Sequence, residues 1–403
     1  MISVCFITKD ESKWIGECIE HLKPIISEFI LVDTGSTDDT IAIARSKGAQ
    51  VYQIEWPHDF SAARNISLQY ATQPWILKID PDERLDSRDF SRLMALTQTD
   101  VPAYQFWTRA YTNDPSRMTL TSYQACIGEY AEREKGYRGF LTYPNIRLFK
   151  NSPEIRYRGK IHESVESTLP GYKINADGRI TSPVPAPLDI YFHHYGHTDA
   201  ASEKKSPLYN SLIQEELKQN PNNWYVLFEM GIDQFRRGDF RAAIDSFCKA
   251  DRALPKKPQV LSNLGLSLLN IGERKEAEAV LRECLAIDPF YHDAALNLGL
   301  CYFETNEFQQ AIYYFDEALK IAPHSFTALR AKGQALAQTG DLDSSHDCFR
   351  AALKIMPHFL EAKVDLAIVL INLQKADEAK QMLEEILDED PHNARASLLI
   401  KRF

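Results

Sequence analysis

The chain has 403 residues, 44% of them hydrophobic and 25% charged, a balance that excludes wholesale disorder. Its length exceeds what one hydrophobic core usually organises, which predicts two domains. A formal net charge of −10 excludes a phosphate-backbone binder, which needs clustered Lys and Arg, so nucleic acid is not an expected partner.

In chain order, Ile2 to Thr8 is an apolar, β-branched run that predicts a strand, and Trp14 to Leu22 follows with helical spacing. Phe29 to Val32 predicts a second strand, ended by Asp33-Thr34-Gly35-Ser36-Thr37-Asp38-Asp39-Thr40, with a helix over Ile41 to Lys47. Val51 to Ile54 is a third strand, Ser61 to Ala71 a helix, and Trp75 to Ile79 a fourth strand stopped by Asp80-Pro81-Asp82-Glu83. Strands alternating with helices predict a parallel sheet, whose ligands sit beyond the carboxyl ends of the strands. Asp33 and Asp80 both stand at such ends. Tyr123 to Arg147, rich in Tyr, Gly and Arg without periodicity, reads as a mobile lid or acceptor loop.

Prolines at 221, 255, 289, 323, 357 and 391 fall 34 residues apart. In that register Gly231, Gly265, Gly299, Gly333 and Ala367 form one column, and Ala243, Ala277, Ala311, Ser345 and Ala379 another. Phe247, Leu281, Phe315, Phe349 and Leu383 fill a third. Small residues suit close helix crossings, large ones the packing between helices, and Pro the end of a helix pair. The pattern resembles the tetratricopeptide repeat: five helix pairs, a lead-in helix over Glu203 to Gln219 and a closing helix over 392 to 403. Such arrays present an extended surface to a protein or peptide. The histidines at 292, 324, 358 and 392 recur at turns and read as repeat consensus, not as a metal cluster.

No apolar run reaches the roughly 18–20 residues of a membrane helix, and the chain opens in a strand pattern without a charged leader, so a cytoplasmic location is expected. Seven scattered cysteines with no C-x-x-C pair suggest neither disulfides nor zinc.

I-T-K-D-E near the start, V-D-T-G-S-T-D-D-T after the second strand, A-A-R-N in a helix and I-D-P-D-E-R after the fourth strand resemble, together and in this order, a family 2 glycosyltransferase of the GT-A fold. The resemblance implies an α/β, Rossmann-like domain with a mostly parallel sheet over 1–200, a connecting helix over 201–220 and an all-α repeat solenoid over 221–403. It implies inverting transfer of a sugar from a nucleotide-sugar donor, UDP-linked, with a divalent cation, Mn or Mg, as cofactor. Asp82 of the D-x-D would bind the metal and Asp80 the ribose or a metal-bound water; the competing reading is a solvated acidic turn. Asp33 would accept from a uracil imide, with Arg64 and Glu11 near the same nucleotide; helix capping and surface ion pairing are the alternatives. An acidic residue downstream acts as base in related enzymes, which makes Glu163 the candidate, with His162 orienting it or assisting the diphosphate. A late histidine completes the metal shell in some members, which points to His194, then His197, against a packed aromatic junction. Lys204 and Lys205 follow and read either as phosphate contacts or as solvated residues at a helix start.

A transferase domain joined to a repeat arm resembles bacterial peptide and protein glycosyltransferases, implying a Ser/Thr hydroxyl or Cys thiol acceptor held by the repeats. Two alternatives stay open. One is a transferase of lipopolysaccharide core or another surface glycan; the other is a non-catalytic repeat scaffold with a degenerate sugar-nucleotide domain. A second copy of the chain is a further potential partner.

Overall fold

The computed structural model describes residues 1–113, 123–126, 128–161, 163–174, 180–196 and 211–403. Two compact units divide it, residues 1–221 and 222–403.

In the first unit β1 (Ile2–Thr8) pairs in parallel with β2 (Glu28–Asp33) and β4 (Trp75–Leu77), and β2 with β3 (Gln50–Gln53). β1, β2 and β4 are almost wholly buried because helices cover both faces of this parallel part. Side chains alternate accordingly. Val4, Phe6, Leu31 and Leu77 join one core with α1 (Ile15–Leu22), α2 (Thr40–Ser46) and α4 (Phe90–Leu96). Cys5, Ile30 and Ile76 face the opposite core, with Leu68 of α3 (Phe60–Tyr70) and Tyr157. The sheet continues as a mixed one beyond β4, in the order β3-β2-β1-β4-β8-β6-β11-β5. Its added strands are β5 (Glu83–Leu85), β6 (Ala103–Thr112), β8 (Gly139–Lys150) and β11 (Leu188–His194), with β7 (Tyr123–Ala125) on β8; β9 (Lys173–Ile174) and β10 (Ile180–Thr181) form a separate ribbon.

The stretch read from sequence as a lid is therefore largely sheet. β8 runs antiparallel to β6 over almost its full length, and only α5 (Ala131–Glu134) and its flanks form a loop. Pro144 disguises the strand, since Pro is foreign to central strands. β4 pairs only with 148–150 and β7 only with 139–141, so Pro144 needs no donor toward that side.

A helix over 211–219, here α6, closes the described part of this unit. The second unit consists of α7 (Trp224–Arg236) with α8 (Phe240–Ala253), α9 (Pro258–Asn270) with α10 (Arg274–Ile287), and α11 (His292–Glu304) with α12 (Phe308–Ile321). Then come α13 (Phe326–Thr339) with α14 (Leu342–Ile355), α15 (Leu360–Asn372) with α16 (Ala376–Glu389), and the short α17 (Ala394–Leu399). The repeat columns have a direct packing cause. A Cβ placed on Gly299 would lie 2.5 Å from the Phe315 ring, and one on Gly265 would lie 2.6 Å from Leu281. The first four helix pairs thus close because the first helix carries Gly where the second inserts a large apolar side chain; in the fifth, Ala367 faces the smaller Leu383. The α/β domain followed by an all-α repeat solenoid agrees with the fold expected from sequence.

Candidate active site

β4 runs into the turn Lys78-Ile79-Asp80-Pro81-Asp82 and returns as β5. The turn rests on a buried ion pair. Arg147 Nη1 and Nη2 donate to the two carboxylate oxygens of Glu83, each at 2.6 Å, with both side chains 2% exposed. Glu83 Oε2 also accepts from the Asp80 amide at 2.9 Å, and Arg84 Nη1 donates to the carbonyls of Pro81 and Glu83. A bidentate guanidinium–carboxylate pair fixes orientation as well as charge, so the two aspartates sit on a rigid support.

Asp82 meets the end of β11 there. Its carbonyl accepts from the Tyr195 amide at 3.0 Å, and its Oδ2 lies 3.2 Å from His194 Nε2. Burial opposes protonation of His194, but the Asp82 carboxylate outweighs it and holds the imidazole above its ordinary pKa. Gly196 leaves room for this approach, since a Cβ there would fall 1.7 Å from Asp82 Oδ2. A carboxylate oxygen and an imidazole nitrogen that converge in this way fit a divalent cation of the Mn or Mg type. Among the described residues no group of three or more His, Cys, Asp or Glu side chains is placed to hold a metal ion.

On the α3 face of the sheet, Arg64 is 5% exposed at its side chain and donates from Nε to Glu163 Oε1 at 2.6 Å and from Nη2 to Asp80 Oδ1 at 2.8 Å. Its Nη1 is buried without a partner. Lys78 Nζ donates to the same Glu163 oxygen at 3.2 Å, and the Tyr157 ring lies against both cations. The segment carrying Glu163 is pinned to α3: Asn65 exchanges two hydrogen bonds with the Tyr157 backbone, Ser61 Oγ donates to the Gly159 carbonyl, and the Phe60 amide donates to Lys160.

This environment sets the charge state of Glu163, the residue expected as base. Burial alone would raise its carboxyl, yet Lys78 and Arg64 hold it down at about 2. A general base works best with a pKa near the working pH, and in the structure as it stands Glu163 is engaged with two cations. Asp80 is likewise held below the carboxylate range, chiefly by Arg64 acting against burial. Glu163 normally titrates near 4.5, so its charged form stabilises the fold above that pH, and this contribution fades as pH falls through 4.5 toward 2. Glu163→Gln should therefore melt well below wild type at neutral pH, with the gap closing in that acid window; a gap unchanged down to the bottom of the window would contradict the clamp.

Asp33 is fully buried at the end of β2 and organises its turn: it accepts from the amides of Gly35 and Ser36 and from the hydroxyls of Thr8 and Ser36. A nucleobase N–H would have to displace one of these donors. Glu11 sits on the adjoining loop, its amide donating to Thr40 Oγ1 at 2.7 Å, and Thr37 and Ser36 bond Asp10 of the same loop. The structure thus gathers the expected residues into three groups: Glu11 with the loop after Asp33, Arg64 with Asp80 and Glu163, and Asp82 with His194. His162, His197, Lys204 and Lys205 lie outside the described residues. Sequence reasoning missed Lys78, Glu83, Arg147 and Gly196. The D-E-R continuation of the D-x-D was the available signal for Glu83, whereas Arg147 carried none.

Residues 3–157 match the family described as Glycosyl transferase family 2, and 228–292, 262–326 and 336–402 match tetratricopeptide repeats. A TPR repeat-containing protein of Synechococcus elongatus is 28% identical over 243 residues, 60% of this chain and 54% of that protein. The SPbeta prophage-derived glycosyltransferase SunS of Bacillus subtilis is 24% identical over 251 residues, 62% of this chain and 53% of its own length. The lipopolysaccharide core biosynthesis glycosyltransferase LpsC of Rhizobium meliloti is 25% identical over 171 residues, 39% of this chain and 63% of that protein. The chain spans about half the length of the first two of these relatives.

Proposed function

From the premise that the chain joins a family 2 glycosyltransferase domain to tetratricopeptide repeats, we propose that it transfers a sugar from a UDP-linked donor to a protein or peptide held by the repeats. The observation that carries this reading is the convergence of Asp82 and His194 on the rigid turn after β4. A bound divalent cation there would neutralise the charge that builds on the departing diphosphate. Arg64 and Lys78, held ready by Glu163, supply fixed positive charge beside it, and the unpartnered Arg64 Nη1 is a donor suited to an anionic ligand. Glu163 gains base strength on this reading as the donor's phosphates draw both cations away, which returns to it the capacity to take the acceptor proton. Asp33 acts by shaping the turn against which the base lies, and Glu11 borders the same place.

The repeats favour a protein acceptor, while the likeness to LpsC supports a second reading, a glycan acceptor with the repeats docking a partner. The free cysteines suit a reducing, cytoplasmic setting, and no helix among the described residues is long and apolar enough to cross a membrane. The decisive experiment is released nucleotide, measured with manganese across UDP and GDP sugars. Slow metal-dependent hydrolysis of one donor is expected; no response to any donor, with repeat-domain partners still bound, would turn the chain into a scaffold.

A further inference from the structure

His194 stands between two residues that one buried side chain holds. Tyr111 of β6 is 0% exposed. Its hydroxyl lies 2.7 Å from His193 Nδ1, and its ring stacks on His193, 9° from parallel with centroids at 5.8 Å. The same ring stacks on Tyr195, 16° from parallel at 5.4 Å. Neighbours along a strand project to opposite faces, so His193 and Tyr195 share one face and His194 leaves from the other. Tyr111 thus grips the residues before and after His194.

The sheet explains the placement. β11 runs parallel to β6 with His193 opposite Arg109 and His194 opposite Ala110, which brings Tyr111 level with the end of β11. On its other side Tyr111 pairs with Phe140 of β8, whose ring meets it edge-on at 5.7 Å, and Tyr137 leans on it at 5.1 Å. A ring packed on both flanks has little freedom to move. β5 pairs with Phe192, His193 and His194 from the far edge, and the Tyr195 amide bonds the Asp82 carbonyl. These main-chain bonds set the path of the strand end. Its twist, and with it the aim of His194 Nε2 toward Asp82 Oδ2, depends on what the flanking side chains pack against. His193 Nε2 is buried without a hydrogen-bond partner among the described residues, so the Tyr111 hydroxyl is what fixes that imidazole.

Resting on the preceding reading of Asp82 and His194 as the cation pair, we propose that Tyr111 is a positioning residue that holds His193 and Tyr195 so that His194 is presented to the cation. The two adjacent histidines then divide the work: His193 is the anchored one and His194 the one presented.

The test is pulsed EPR on the full chain, in excess over Mn²⁺ and UDP, which reads nitrogen coupling from an imidazole on the ion and phosphorus coupling from the diphosphate. Wild type should show both, and His194→Ala should keep the phosphorus coupling while losing the nitrogen coupling. Tyr111→Leu, with melting temperature and circular dichroism confirming its fold, should keep the phosphorus coupling and lose the nitrogen coupling severalfold. A ring that served only the core would lower the melting temperature and leave the two couplings in their wild-type ratio; that result in folded Tyr111→Leu would overturn the proposal while the cation site stood. Should Tyr111→Leu fail to fold, Tyr195→Leu, which removes a ring that Tyr111 stacks on, carries the same two outcomes. Phosphorus without nitrogen coupling in wild type, or nitrogen coupling that survives His194→Ala, would remove His194 from the ion and the proposal with it. Neither coupling in wild type would defeat the cation reading itself.

Discussion

Asp82→Asn is expected to cut sugar transfer by on the order of 10²–10³-fold, the scale seen when one group that stabilises developing charge is removed, and to abolish any manganese-dependent rise in melting temperature. The substitution keeps size and leaves the main-chain bond from the Tyr195 amide to the Asp82 carbonyl untouched, so the apo protein should melt near wild type. What it removes is the anionic oxygen that meets His194 Nε2. Turnover and manganese shift both equal to wild type would refute the metal assignment. Turnover lost with the manganese shift intact would move Asp82 from cation binding to another catalytic duty.

Arg147→Met should produce the largest loss of stability, about 3–5 kcal/mol, because it strands the Glu83 carboxylate at a site only 2% exposed. For a unit of 221 residues that corresponds to a melting-temperature drop of roughly 6–20 °C. The paired change Arg147→Met with Glu83→Leu should recover much of the stability, since no buried charge is left alone. It should not recover activity, because the Asp80 amide loses the oxygen that fixes the turn. Thermal melts and turnover on the single and paired variants separate the two effects, and a paired variant as active as wild type would show that the turn needs no such support.

What the sequence revealed and what it hid divide along contact distance. β1, α1, β2 and α3 were legible to within a residue or two because apolar runs and periodicities are local. The repeat packing was legible because Gly and its large apolar partner recur in fixed register. That Asp82 and His194 come together was legible only through motif resemblance. The ion pairs of Glu163 were not legible, since its two cations come from 99 and 85 positions away. Arg147 escaped for the same reason, sitting in a strand whose proline and mixed polarity hid the strand itself.

The 112 positions that separate Asp82 from His194 also set an order of assembly during synthesis. β5 cannot find its sheet neighbour β11 until the ribosome has released the chain past His194, so the first unit emerges with an open edge and with Asp82 and His194 still apart. The repeats that follow need only their immediate neighbours and can consolidate one helix pair at a time. A chain interrupted shortly after β8 would therefore retain much of its parallel core while lacking the contact between Asp82 and His194, and its unpaired strands would be candidates for misassociation.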